Sequence, residues 1–454
     1  MDLEQLAESA VAAAVDAGAS EAEAAAQDSV GREIRVFGGE VESLSEAGER
    51  GLGVRAWIDG RAGFAYGTDL SDDGVRAIAA DAAEAAKIAD PDEFAAAPEP
   101  ADGPEPAAGG RFFDPGVGST PTEEKVALAK AVEAAAREAD SSVVAVETAI
   151  YVDEEVRSAI RSSTGLGGQY EATFAYAYLQ AIAEREGSKQ TGLGFGLGRA
   201  PAALDAETIG REAADRAVQL LGAEKPASRS CPVVLDPTVA ASFAGFVGGV
   251  LCADAVQRGR SPFADRVGDE IASAALELTD DGTDPDGMAS APVDGEGLRR
   301  GATPLIEGGR LKTYLHDSYT ARRQGGGQRS TANAARSGYR SAPSVSTSNL
   351  TVAPGEASLA DLFAQAGDGV FVTDVAGLHS GVNPVSGQFS VGASGLLIED
   401  GELGRPATEF TIASDLVSML SAVQAAGRDA RWVPFGGSVK TPPLLIAEMA
   451  VGGA

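Results

Sequence analysis

Over its first 223 residues the chain spells out one order of elements twice, and that repeat limits the folds open to it more than any single motif does. Residues 2 to 17 (DLEQLAESAVAAAVDA) space apolar side chains three and four apart and stop at Gly18, the pattern of an amphipathic helix and its end. β-Branched and aromatic residues follow around 30–37, 52–58 and 61–66, with Asp59-Gly60 as a hairpin turn between the last two. SDDGVRAIAADAAEAAKIAD (71–90) then predicts an Ala-rich helix capped by Ser71 or Asp72. The order returns as a helix near 121–139, strand-like runs near 142–151, 155–162, 170–183 and 190–197, and a helix near 206–222. Helix, meander, helix written twice predicts an α+β protein with two related lobes, 1–90 and 119–223. Residues 91–118 between them hold too much Pro and Gly for a long regular element and read as a linker or surface excursion.

Beyond residue 223 the pattern changes. Short strands are predicted near 231–235, 273–278, 303–307, 369–376, 387–398 and 443–447, with Gly-rich turns, one helix at 237–254 and a helical piece near 412–426. Residues 224–454 are therefore expected to form a β-rich domain with a closed, barrel-like sheet. A length of 454 residues with 44% hydrophobic content suits about three folding units with real cores.

Charge narrows the functions. Lys and Arg total 36 against 67 Asp and Glu, a net charge of −31, and seven of the 36 cations are Lys. Such a field repels phosphate, so neither nucleic acid nor an anionic membrane is an expected partner. It predicts a protein kept soluble in concentrated salt, from a halophilic source; the alternative, an acidic patch for a cationic partner, is weakened because the acids are spread along the chain. Cys231 and Cys252 belong to no C-x-x-C pair and read as buried free thiols. The start, MDLEQL, lacks a basic region followed by an apolar run, and the uncharged stretch 237–253 falls short of the roughly 20 residues that cross a bilayer, so a soluble cytoplasmic protein is expected.

Familiar catalytic signatures are missing. No serine has G-x-S-x-G flanks, and no P-loop is present. GLGFGLG (192–198) repeats Gly at every second position, which fits one face of a strand against which something packs closely better than a dinucleotide fingerprint. The two histidines, His316 and His379, stand in separate segments outside any paired zinc motif; each reads as a structural histidine, with a joint site built with nearby Asp as the alternative. Residues 318–355 contain no acid and hold Arg322, Arg323, Arg329, Arg336 and Arg340 around a GGG at 325–327. This positive island suits a peptide carboxylate or an acidic partner, or else a loop whose arginines pair with the acidic surface of their own chain.

Three strings, LIEGGRLKTYLHDSYTARRQG (305–325), SVSTSNLTVAPGEAS (344–358) and GVFVTDVAGLHSGVNPVSGQFSVGASGLLIEDGEL (369–403), closely resemble the TldD/PmbA family, also described as modulator of DNA gyrase, in its PmbA (TldE) branch. The resemblance covers essentially the whole chain. It implies a cytoplasmic metalloprotease of two related subunits, in which the TldD-type subunit carries an H-E-x-x-x-H helix and a distant Cys. Laid without a gap on 237–256, that helix puts its first His on Ala244, its Glu on Gly245 and its second His on Gly249, while the Cys falls on Ala426. None of these side chains offers an electron pair, so no catalytic residue and no cofactor is expected in this chain, and a divalent metal is expected in its partner.

Two readings follow from the resemblance. In the first, the chain is a non-catalytic subunit forming a heterodimer with a TldD-type subunit around an unfolded peptide. In the second, it is a homodimeric peptide-binding or regulatory protein. His316, Arg322, Arg323, Arg329, His379 and Asn383 are the candidate substrate or partner contacts. A hydrolase site built from both histidines and carboxylates is the third possibility.

Overall fold

The computed structural model describes residues 1–104, 112–435 and 437–454, and only the backbone of His379. Part of the 91–118 linker reading thus lies outside the described residues. The first lobe consists of α1 (Leu3–Asp16), β1 (Glu21–Phe37), β2 (Glu40–Ile58), β3 (Arg61–Gly67) and α2 (Asp72–Ile88). After a single turn, α3 (Gly116–Ser119), the second repeats it with α4 (Thr122–Ala139), β4 (Val143–Ser162), β5 (Gly167–Arg185), β6 (Ser188–Gly198) and α5 (Ala206–Val218). Asp2, Ser71 and Asp205 cap α1, α2 and α5 through the backbone amides of their first turns.

The lobes share one sheet. Its order is β3-β2-β1-β4-β5-β6, and the seam runs antiparallel from Glu23↔Ser162 to Val36↔Ala149. Even-numbered β1 residues Ala22, Ala24, Ala26, Ile34 and Val36 are buried with the helices, so all four long helices cover one face. Each lobe also clamps the other. Glu133 of α4 accepts the Gly38 and Gly39 amides at the tip of the β1–β2 hairpin (2.9 and 2.8 Å), and Arg161 at the end of β4 pairs with Glu4 and Glu8 of α1.

The repeat extends to single contacts. A Cβ at Gly63 of β3 would stand 2.8 Å from the Ala85 carbonyl carbon of α2, and one at Gly192 of β6 would stand 2.8 Å from that of Arg216 in α5. Four residues on, Gly67 and Gly196 leave room for the Cδ1 atoms of Ile78 and Ile209. The alternate glycines of 192–198 thus lie on a closely packed strand face, as the period of two predicted, and the element packed on it is helix α5.

Several strands exceed their expected length. β1 begins at Glu21 and β2 at Glu40, although 21–29 and 40–51 are rich in Ala, Glu and Ser. Burial of alternate alanines under α1 and pairing across the seam override their weak strand propensity. β4 runs unbroken through Asp153, where two runs were expected; the carboxylate is fully buried and held by Lys125 (2.6 Å) and the Tyr151 hydroxyl (2.5 Å). Near 412–426, only Leu416–Ser421 is helical, flanked by strands Glu402–Asp415 and Val423–Ala426, and the strand expected at 273–278 is Leu278–Asp281.

The C-terminal domain contains the closed barrel. Strands Glu402–Asp415, Gln388–Glu399, Gly369–Ala376, β7 (Arg229–Leu235) and Leu444–Gly452 pair in that order, and Ile412↔Val451 joins the last to the first. A second sheet, including Asn349–Val352 and Ser438–Thr441, packs with the barrel around α6 (Pro237–Val250). This domain covers the face of the N-terminal sheet opposite the helices. There Tyr339 fills the space above Gly51 and Gly53, and the cross-strand pair Glu23 and Arg55 joins Arg336 and Glu296 in a buried charge cluster.

Candidate functional site

α6 is the element on which the H-E-x-x-x-H alignment falls. Asp236 caps it, accepting from Thr238 N at 2.9 Å and binding both carboxylate oxygens to Arg216 (3.1 Å each), and Pro237 occupies its first turn. Its buried face carries Val239, Ala240, Phe243, Ala244 and Val247. Ala244 lines a void of about 30 Å³ with Leu278, Val352, Met419 and Leu444, room for a water molecule but not for an imidazole ring. Gly245 is half-buried, and Gly249 faces open space. Ala426 ends the strand Val423–Ala426, paired with the same Leu444, so the first and last of the four positions belong to one apolar core.

A metal does not fit these residues. Their side chains are methyl groups or hydrogens, and among the described residues no three His, Cys, Asp or Glu side chains converge as a ligand set. Both cysteines are buried; desolvation raises the Cys231 and Cys252 thiols, keeping them protonated.

His316 precedes the short helix Ser318–Gln324 and is 1% exposed. Its Nδ1 has no hydrogen-bond partner among the described residues, and burial depresses its pKa to about 4, so it is neutral at pH 7. His379 belongs to the turn Leu378–Gly381, and its side chain lies outside the described residues. Asn383 lines an open groove with Gln388 and Asp415, its Oδ1 accepting the Val385 and Ser386 amides.

The arginine island is mostly engaged within the chain. Arg322 donates to the Phe94 and Ala96 carbonyls (3.0 and 2.7 Å) and pairs with Asp102, Arg329 donates to the Ala101 and Gly103 carbonyls, and Arg340 pairs with Glu49. Arg336 is buried against Glu23. These bonds strap the segment after α2 to the C-terminal domain. Arg323 differs: it is exposed, without an ion pair among the described residues, and hydrogen-bonded to the Tyr319 hydroxyl in the lining of a cleft.

That cleft, about 400 Å³, lies between the N-terminal sheet and the C-terminal domain and was not anticipated from the sequence. Arg55 stacks over Trp57 at 4.8 Å and binds Glu23 (2.7 Å) and Glu296 (3.4 Å). Asp294, behind Glu296, is pushed up to about 7 by burial and by the neighbouring carboxylate. The only signal available was a Glu and an Arg amid small and apolar strand residues, and their partners are more than two hundred positions away.

Comparison with known proteins agrees with this architecture throughout. Residues 22–86, 115–221 and 228–453 match the PmbA/TldA metallopeptidase domain 1, central domain and C-terminal domain in turn. The chain is 27% identical over 433 residues to metalloprotease PmbA of Escherichia coli O157:H7, covering 95% of this chain and 92% of that protein. It is 30% identical over 290 residues to a metalloprotease of Methanothermobacter thermautotrophicus, 63% of each chain. Among solved structures it superposes on TldE of Thermococcus kodakarensis with a TM-score of 0.90, 24% identity and coverage of 99% and 100%. A Thermotoga maritima protein described as a modulator of DNA gyrase gives 0.89 at 25% identity, with coverage of 99% and 100%. With all three domains matched in order, the chain belongs to the PmbA/TldD family of metallopeptidase-like proteins.

Proposed function

We propose that this chain is a non-catalytic subunit of the PmbA/TldE type, pairing in the cytoplasm with a TldD-type subunit that carries H-E-x-x-x-H and a divalent metal. The two would enclose an unfolded peptide for cleavage. One observation carries the reading: the four aligned positions hold Ala244, Gly245, Gly249 and Ala426, and Ala244 borders a void too small for imidazole. Such residues can neither bind a metal nor relay a proton, so the water-activating step would fall to the partner. The capped, tightly packed α6 retains its place in the domain without its donors, which supports assembly as its task. A cleft enclosed by two subunits would admit flexible chains and exclude folded ones.

Purification of the tagged chain from its native cells, at their own salt concentration, tests this. An equimolar companion bearing H-E-x-x-x-H, with peptidase activity only in the mixture, is the expected result. A homodimer with no companion would refute it and leave a peptide-binding or regulatory homodimer as the reading.

A further inference from the structure

The interdomain cleft is walled by three distant parts of the chain: Arg55 and Trp57 on β2, residues 90–96 after α2, and C-terminal residues 254–258 with the helix Ser318–Gln324. Most of its charges are already satisfied. Arg55 binds Glu23 and Glu296, Arg322 binds backbone carbonyls and Asp102, Asp92 accepts the Phe94 amide and the Tyr319 hydroxyl, and Asp317 caps its helix. These bonds hold the walls in place. Six lining charges have no ion pair among the described residues; Asp92 and Asp317 are taken up by the hydrogen bonds just given and Arg323 by one to the Tyr319 hydroxyl, which leaves Arg258, Asp90 and Asp254 with neither.

Gln257 ties this wall to the helix by donating from Nε2 to the Thr320 carbonyl at 2.7 Å. Free carboxylates beside a free guanidinium disfavour a phosphate, whose charge would meet Asp90 and Asp254, and favour a molecule with both signs at its ends.

We propose that this cleft binds a short zwitterionic peptide, its carboxylate on Arg258 and Arg323 and its ammonium group on Asp90 and Asp254. A volume of about 400 Å³ suits a peptide of about two or three residues. The choice of a peptide rests on the peptide-processing reading above; the site itself needs no partner subunit. It would hold a cleavage product or the end of a longer substrate.

The test uses the isolated full-length chain and tri-alanine, titrated by calorimetry at the lowest salt that keeps the chain folded. Binding in the millimolar range or tighter is expected, and N-acetyl-tri-alanine amide, which lacks both charges, should bind at least about tenfold more weakly. Arg323→Gln and Asp254→Asn should each weaken tri-alanine binding by about tenfold while leaving the melting temperature unchanged. Equal binding of the blocked peptide, or no binding at about 10 mM ligand, would overturn the proposal. Failure to find an H-E-x-x-x-H partner would refute the subunit reading without altering this result, and the converse holds too.

Discussion

Replacing Gly192 by Ala should cost the N-terminal half of the molecule about 3 kcal/mol, although the change adds one methyl group. The new Cβ would lie 2.8 Å from the Arg216 carbonyl carbon, and closer still to the Ala213 carbonyl oxygen and the Ala217 amide on successive turns of α5. These are backbone atoms, which no rotamer change can move aside. α5 must instead withdraw by about 1 Å, which forfeits roughly a quarter to a half of the contact energy along its seat. That seat buries Ile209 at 2% and Ala213, Ala214 and Ala217 at 0% exposure. At about 2–4 °C per kcal/mol for a unit of this size, the melting temperature should fall by about 6–12 °C. Circular dichroism melts backed by urea titration provide the measurement, with Gly63→Ala as the matching change in the first lobe. Gly249→Ala is the control, since a Cβ there meets nothing within 4 Å and a helical site gains from losing glycine. If Gly192→Ala melted within about 1 °C of the parent, the close-packing account of both lobes would be wrong.

Three further outcomes are expected. His316 has a folded pKa of about 4 against 6.5 unfolded, so its contribution is complete above pH 6.5 and declines as pH falls towards 4, by about 3 kcal/mol in all. Asp294, raised by burial, acts in the opposite sense below pH 7, so the contribution is read as the difference between parent and His316→Gln urea profiles; parallel profiles would remove it. Glu133→Ala strips the acceptor from two hairpin amides and should cost about 2–3 kcal/mol, with faster hydrogen exchange at 38–39; unchanged exchange there would contradict the clamp. Arg336→Met leaves Glu23 and Glu296 buried beside Arg55 alone and should cost about 3–5 kcal/mol by urea unfolding, whereas a neutral change would mean that the cluster contributes nothing to holding sheet and domain together. A fourth follows from composition: with a net charge of −31, the unfolding midpoint should rise as KCl goes from dilute to molar, and a midpoint insensitive to salt would count against the halophilic reading.

What the sequence determined by itself was local chemistry and order. Apolar spacing of three and four marked α1, an N-cap and an Ala-rich body marked α2, Asp59-Gly60 marked a hairpin, and the alternate glycines of 192–198 marked a strand face open to close packing, because each signal resides in neighbouring residues. The absence of donors at Ala244, Gly245, Gly249 and Ala426 was equally legible, since a missing lone pair needs no fold to establish it. The tertiary structure alone decided how these pieces meet. Nothing local foretold that β1 would pair with β4 to merge two lobes into one sheet, or that Asp153 would be a buried strand residue beside Lys125. The cleft between sheet and C-terminal domain is the clearest case. Arg55, Asp90, Asp254 and Arg323 become neighbours only when three remote segments pack together, and long-range burial, unlike helical period or turn chemistry, leaves no spacing in the sequence to read.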